Sequence, residues 1–271
     1  MTNYIIKNIT LGDQKIELLQ VKKGSVISFL SEEYQIFEVD NEYVYYWIPI
    51  PIKDGYKYNL VYMFWTGDNP LTKSRLDSIN QFKAISNARV ILITNNMLYR
   101  FVPDLHEGYK YLSYTHRSDY LRTYFMHHYG GGYSDIKRTT GSWNESFKKI
   151  NEETELYGVG YKEVGPWGVV NLPNDEEFTK VLHDNWEKLI GNGAYIFKNN
   201  TTFTTEWYSS MKLVMDRKLE ELKKNPAKDP RDRNYAIGWC EILGDIFHPL
   251  CYKYYDKLSN ILPVGIFVNY Q

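Results

Sequence analysis

The blocks Ser118-Asp119-Tyr120-Leu121-Arg122 and Tyr129-Gly130-Gly131-Gly132-Tyr133-Ser134-Asp135-Ile136-Lys137 decide how this chain is read. Between and around them Leu121, Tyr124, Phe125 and His128 fall on one stripe, so the sequence predicts a helix over 115–129. Three successive glycines stop it, because residues without a Cβ take the left-handed conformations that a tight exit needs. Tyr133 to Lys137 is then expected to be short and extended. In an extended segment residues i and i+2 point to one face, which sets Asp135 and Lys137 side by side, about 6–7 Å apart along the strand. Asp119 and Arg122, three apart at the helix start, share a helix face.

Working outward, Leu60 to Trp65 reads as a buried strand, residues 73–84 as a helix with Leu76, Ile79 and Phe82 at helical spacing, and Arg89 to Thr94 as a second strand. Such a β-α-β unit calls for a mostly parallel sheet covered on both faces. Asn95-Asn96 ends the second strand, Met97 to Phe101 is expected as a short helix, and Tyr109 to Tyr114 as an extended piece. Further on, helices are expected over 176–190, 204–223 and 239–247, a strand over 194–198 and a surface loop over 225–234. The first part of the chain has another texture. Short strands are expected over 4–6, 16–21, 25–30, 34–39 and 43–50, separated by Gly12-Asp13, Gly24 and Asp40-Asn41. Pro49 to Tyr58 reads as a linker. The expectation is a β-rich extension over 1–57 and an α/β domain over 58–271.

Composition narrows the function classes. The 271 residues are 43% hydrophobic and 24% charged, an ordinary globular balance, and 32 Lys and Arg against 33 Asp and Glu leave a net charge of -1. No basic excess is available to neutralise a nucleic-acid backbone, so nucleic acid is not expected as a partner. The first residues lack a basic segment followed by an apolar run, and no stretch of about 18 apolar residues occurs, so neither export nor a transmembrane segment is signalled and a cytoplasmic location is expected. Cys240 and Cys251 sit among apolar and aromatic residues and are expected as buried thiols. His127 and His128, adjacent on a helix, cannot face one metal and read as packing or surface. No Gly-x-Ser-x-Gly elbow, P-loop or cysteine nucleophile is present, and the three glycines are not a dinucleotide fingerprint.

The order Ser-Asp-x-x-Arg, helix, Tyr-Gly-Gly-x-Tyr-x-Asp-x-Asp resembles the DXD-containing sugar-transfer family of GT-A glycosyltransferases. That family includes initiating mannosyltransferases of yeast type, capsular polysaccharide transferases and the glucosyltransferase domains of clostridial toxins. The layout matches over residues 60–137, and the specific motif over 113–137. Trp239-Cys240-Glu241-Ile242-Leu243-Gly244 with Phe247-His248-Pro249 also resembles the C-terminal block of related bacterial and viral polysaccharide enzymes. The resemblance implies a GT-A, Rossmann-like α/β fold, a nucleoside diphosphate-sugar donor (a UDP- or GDP-sugar), a glycan or glycoconjugate hydroxyl as acceptor, and retention of anomeric configuration.

In the family two carboxylates bind a divalent cation at the donor diphosphate; here the second is Lys137. An ammonium in place of a carboxylate changes the local charge by two units and weakens a dication site. Either Asp135 still holds Mn2+ or Mg2+ with phosphates and waters completing the shell, or Lys137 contacts the diphosphate and does part of the metal's work. Weak or no metal dependence is the favoured expectation, with no organic cofactor. A catalytically degenerate module that binds a nucleotide or glycan without turnover is the alternative.

As the resemblance implies, Asp119 and Arg122 contact the sugar or ribose and the diphosphate, while Gly131, Gly132 and Ser134 flank Asp135. Trp65, Thr66 and Gly67 end the first parallel strand, where open α/β sheets bind ligands, and Thr94 and Asn95 end the second. Glu241 is the candidate carboxylate near sugar or acceptor, and Trp239 and His248 the candidates that close over the donor and its diphosphate. Each has a structural competitor: a helix-start ion pair for Asp119 and Arg122, a core ring for Trp65, a turn for Thr94 and Asn95, an exposed helix glutamate, and a satisfied buried histidine.

Overall fold

In a computed structural model of the chain, residues 4–11, 14–25, 35–47, 50–229 and 232–266 are described. The first four strands, β1 (Tyr4–Leu11), β2 (Gln14–Lys22), β3 (Gln35–Val39) and β4 (Tyr43–Trp47), form an antiparallel sheet in the order β1-β2-β4-β3. The strand expected over 25–30 lies outside the described residues apart from Ser25. Ile16, Leu18, Tyr45 and Trp47 point to one side and join the main core, while Lys15 and Glu17 face out, the alternation of a sheet buried on one face.

A six-stranded mixed sheet follows, in the order β10-β8-β9-β7-β5-β6. Its strands are β5 (Leu60–Trp65), β6 (Arg89–Thr94), β7 (Gly131–Ser134), β8 (Gly158–Lys162), β9 (Ile190–Phe197) and β10 (Leu258–Ser259). β5 is parallel to β6 and β7, β10 is parallel to β8, and β9 runs antiparallel to β7 and β8. Both faces are covered. Leu60, Tyr62 and Phe64 enter one core, shared with α3 (Tyr114–His128), α6 (Thr202–Lys224) and α7 (Gly244–Lys253); Val61 and Met63 enter the other, shared with α1 (Lys73–Ser86) and α4 (Asn144–Glu152). Period-2 alternation divides one apolar strand between two cores, which is why β5 reads as unbroken hydrophobic sequence. The chain is thus α/β with a parallel-rich sheet and a β-rich N-terminal extension, as the sequence predicts.

Several local expectations are corrected. Tyr109–Tyr114 is not extended: residues Glu107–Tyr111 form a 3-10 turn, and Ser113 caps α3, its hydroxyl accepting from His116 N at 3.3 Å. The strand expected over 133–137 is instead Gly131–Ser134, starting two residues earlier within the glycines themselves and ending three residues earlier. Gly130 makes the turn out of the helix with φ +63°, but Gly131, at φ +104°, already pairs with Phe197, and a Cβ there would lie 3.1 Å from the Leu60 carbonyl. Close strand packing, as well as helix termination, requires these glycines. The short helix expected over 97–101 is α2 (Leu98–Phe101), and the helix expected over 176–190 is the shorter α5 (Glu176–Asp184); a 3-10 turn Trp186–Lys188 follows, and the next strand starts at Ile190 rather than at Ala194. The helix expected from Trp239 starts at Gly244 and runs through Pro249. Residues 144–152 and 158–162, for which no element is expected, are α4 and β8.

Both cysteines are free thiols. Among the described residues no helix is long and apolar enough to cross a membrane.

Candidate functional site

The carboxyl ends of β5 and β7 and the first two turns of α3 meet at one edge of the large sheet. A cleft of about 440 Å³ opens there, lined by Trp65, Thr66 and Gly67 from the end of β5, Thr72 and Arg75 at the start of α1, and Tyr114, Thr115 and Ser118 on α3. Its lining is fixed by hydrogen bonds, two of them between distant parts of the chain. Thr66 Oγ1 donates to the Tyr114 carbonyl at 2.8 Å, and Trp65 Nε1 to the Asn69 carbonyl at 2.7 Å. Asn95 Nδ2 donates to the Thr66 carbonyl at 3.0 Å, so Asn95 holds the end of β5; Thr94 ends β6 beside it.

Asp135 lies just past the end of β7. Its backbone N–H donates to Gly193 O on β9, but the chain then turns, with Lys137 N–H donating to Asp135 O at 2.7 Å. This three-residue turn replaces the extended geometry expected for 133–137. The two side chains still face together, now in direct contact: Lys137 Nζ donates to Asp135 Oδ2 at 2.8 Å. On Oδ1, Tyr133 OH donates at 2.6 Å and Arg122 Nη2 at 3.3 Å.

Arg122 ties this group to α3. Its Nη2 is 3.1 Å from Asp119 Oδ1, its Nη1 donates to the Asn192 carbonyl at 2.8 Å, and its guanidinium lies 4.2 Å over the ring centre of Tyr133. Arg122 is only 6% exposed and Asp119 3%, and Arg122 Nε is buried without a hydrogen-bond partner among the described residues. Ser118 Oγ lies 3.4 Å from Tyr133 OH, a link from the cleft wall to Asp135. Ser134 is buried, its hydroxyl donating to the Asp135 carbonyl.

Electrostatics separate the two carboxylates. Burial pushes the Asp135 carboxyl up, but the Lys137 ammonium, the Arg122 guanidinium and the hydrogen bonds from Lys137 and Tyr133 together bring it down to about 2. For Asp119, burial prevails over Arg122 and His116, and its carboxyl is raised.

Of the late-block residues, Glu241 and His248 make their contacts elsewhere, and Trp239 reaches the start of α3. Glu241 caps its own turn, Oε2 accepting from Gly238 N at 2.9 Å, and pairs with Arg217 of α6 at 3.4 Å. Trp239 is 41% exposed with the Arg233 guanidinium 4.2 Å over its ring, and its carbonyl faces Nε2 of buried His116 at 3.1 Å. His248 is buried on α7: Nδ1 accepts from Val170 N at 3.0 Å, and Nε2 lies 3.6 Å from the buried Glu163 carboxylate. Asp119, Arg122, Asp135 and Lys137 are therefore brought together beside the cleft of Trp65, Thr66 and Gly67, whereas the contacts of Glu241 and His248 lie outside that group.

Tyr133, Tyr114, Ser118 and Arg75 also belong to this region without having been site candidates in the sequence. Tyr133 and Ser118 stood inside the motif itself; Arg75 carries no local signal, because only tertiary folding sets it beside the turn after β7.

No family model matches the chain, and no curated protein matches it. It is similar to a solved structure named PaToxG Glycosyltransferase, at 14% identity and a TM-score of 0.39, over 76% of this chain and 70% of that one.

Proposed function

We propose that the chain is a glycosyltransferase moving a sugar from a nucleoside diphosphate donor, a UDP- or GDP-sugar, to a hydroxyl of a glycan or glycoconjugate with retention. The observation that carries this reading is a strand-end carboxylate gripped by two cations, Arg122 and Lys137, beside a cleft whose Trp65 and Tyr114 rings suit a flat base. In this reading the base and ribose occupy the cleft, and the diphosphate lies over Lys137 and Arg122. The new bond forms between the acceptor oxygen and the anomeric carbon as the bond from that carbon to the diphosphate oxygen breaks. The bonding electrons leave with the diphosphate, and the same oxygen takes the acceptor proton, so no separate base is needed. Lys137 and Arg122 stabilise the charge that develops on the leaving group, while Asp119 and Asp135 orient the cations and the sugar.

The donor set bears on the metal. Asp135 has no second carboxylate beside it in the motif; one of its oxygens faces Lys137 and the other Tyr133 and Arg122, a poor fit to a protein-held dication. Transfer with weak or no metal dependence follows, with Lys137 supplying a positive charge that Mn2+ or Mg2+ supplies to a two-carboxylate motif. A second reading, a module that binds without turnover, draws on the burial of Asp119 and Arg122, which leaves little of either to touch a sugar.

A panel of UDP- and GDP-sugars, assayed for hydrolysis and calorimetric binding with and without chelator, tests both readings. Release of free sugar that persists in chelator supports the enzyme, and its loss in Asp119→Ala and Asp135→Ala supports the site. Activity that vanishes in chelator and returns only with manganese removes the role given to Lys137, and binding with no release supports the module.

A further inference from the structure

Helix α1 grips the backbone that follows Asp135 through two of its side chains. Arg75 Nη1 donates to the Ile136 carbonyl at 2.7 Å, in the middle of the turn between Asp135 and Lys137. Two turns later on the helix, Gln81 pairs with both backbone groups of Thr139, Nε2 donating to its carbonyl at 2.8 Å and Oε1 accepting from its N–H at 3.0 Å. Six residues of helix advance about 9 Å, and three residues of chain reach at most about 10–11 Å, so the two anchors hold both ends of one short segment. On the other side the Asp135 N–H is held by Gly193 O of β9, and below it the Ile136 side chain is buried in the α1 and α4 core.

Arg75 alone among these anchors also lines the cleft, together with Ser118 and Tyr114. A guanidinium offers five donors in a rigid fork, so one end can hold a carbonyl while the plane faces the cleft. Without that bond the Ile136 carbonyl loses a charged donor, and the turn that aims Lys137 at Asp135 loses its support from α1.

We propose that Arg75 is a positioning residue: by holding the Ile136 carbonyl it couples the cleft to the Asp135–Lys137 turn, with Gln81 fixing the far end of the segment. The catalytic part of this inference rests on the donor reading above; the structural part does not. The test uses the full chain and the variants Arg75→Ala, Arg75→Lys and Gln81→Ala, read by amide hydrogen exchange over 134–141 and by kcat and KM for sugar release.

In Arg75→Ala, exchange at Lys137 and Thr139 rises about tenfold or more, the worth of a hydrogen bond from a charged donor, while the melting temperature stays within about 4 °C. kcat falls by about the same factor with KM changed less than about threefold, the pattern of an interaction that matters for alignment rather than for ground-state binding. Arg75→Lys recovers most of both effects, because an ammonium can still donate to one carbonyl, and Gln81→Ala speeds exchange at Thr139 more than at Lys137. Unchanged exchange over 134–141 in Arg75→Ala overturns the proposal, and so does an Arg75→Lys variant as impaired as the alanine. If the wild type releases no sugar from any donor, the donor reading fails, and the exchange data still decide whether Arg75 holds the turn.

Discussion

Asp119, on the second turn of α3, and Asp135, past the end of β7, share one guanidinium yet titrate in opposite directions. Asp119 is almost wholly enclosed and has one close cation, and burial raises its carboxyl. Asp135 is about a quarter exposed and has Lys137, Arg122 and the Tyr133 hydroxyl on its two oxygens, which bring it to about 2. The number of donors aimed at a carboxylate, set against the water it has lost, decides its charge. The strand-end acid therefore stays ionised between Lys137 and Arg122, whereas the helix-start acid is enclosed against Arg122 alone.

Removing the shared cation breaks the comparison most severely. Arg122→Ala strands Asp119 in a dry site without its ion-pair partner, and a loss of about 3–5 kcal/mol of stability is expected, measurable by urea unfolding at neutral pH. Lys137→Ala acts on one side only. Asp135 keeps Arg122 and Tyr133, so folding changes little, but sugar release is expected to fall about a hundredfold, near 2.7 kcal/mol in the transition state. Lys137→Asp sharpens the same point, because two acids at this spacing should make turnover dependent on added manganese.

Acid separates the two carboxylates next. The folded value for Asp135, about 2, lies below the unfolded 3.8, so its contribution is present above pH 3.8 and lost as pH falls toward 2. With allowance for its partial exposure that amounts to about 1–2 kcal/mol. Asp119 has the opposite sign: its raised carboxyl favours the folded state at low pH and loses that contribution as pH rises through the folded value. Unfolding measured at pH 5 and pH 2 should therefore show the cost of Asp135→Asn shrinking in acid, and that of Asp119→Asn growing. Glu241→Gln, which touches Gly238 and Arg217 rather than this group, is expected to change sugar release less than about threefold.

The sequence made the helix 114–128, the strands at 60–65 and 89–94 and the convergence of Asp119, Arg122, Asp135 and Lys137 readable, because each rests on periodicity or on spacing within about twenty residues. What it concealed depends on distant partners. The turn at 135–137 is imposed by Gly193 from β9, together with Arg75 from α1, and no local pattern announces either. Strand β8, with Gly158 and Gly160 packed under Phe197 and Ile190, lacks the β-branched signature of a strand because large neighbours fill its space. Pro249 concealed only the second half of α7, since a proline inside a helix argues against its continuing, and the burial of Phe247, His248, Leu250 and Cys251 offsets that cost. Of the late-block residues that resemble family positions in sequence, Glu241 and His248 contact Gly238, Arg217, Val170 and Glu163, whereas Trp239 reaches α3 through His116.

A crystal structure of the chain with UDP or GDP bound in the presence of chelator bears most directly on all of this. The base is expected between Trp65 and Tyr114, with diphosphate oxygens in hydrogen-bonding reach of Lys137 and Arg122 and the Lys137–Asp135 contact lengthened or shared. A nucleotide seated away from the sheet edge, or phosphates bound with Lys137 still turned wholly onto Asp135, would contradict the donor reading.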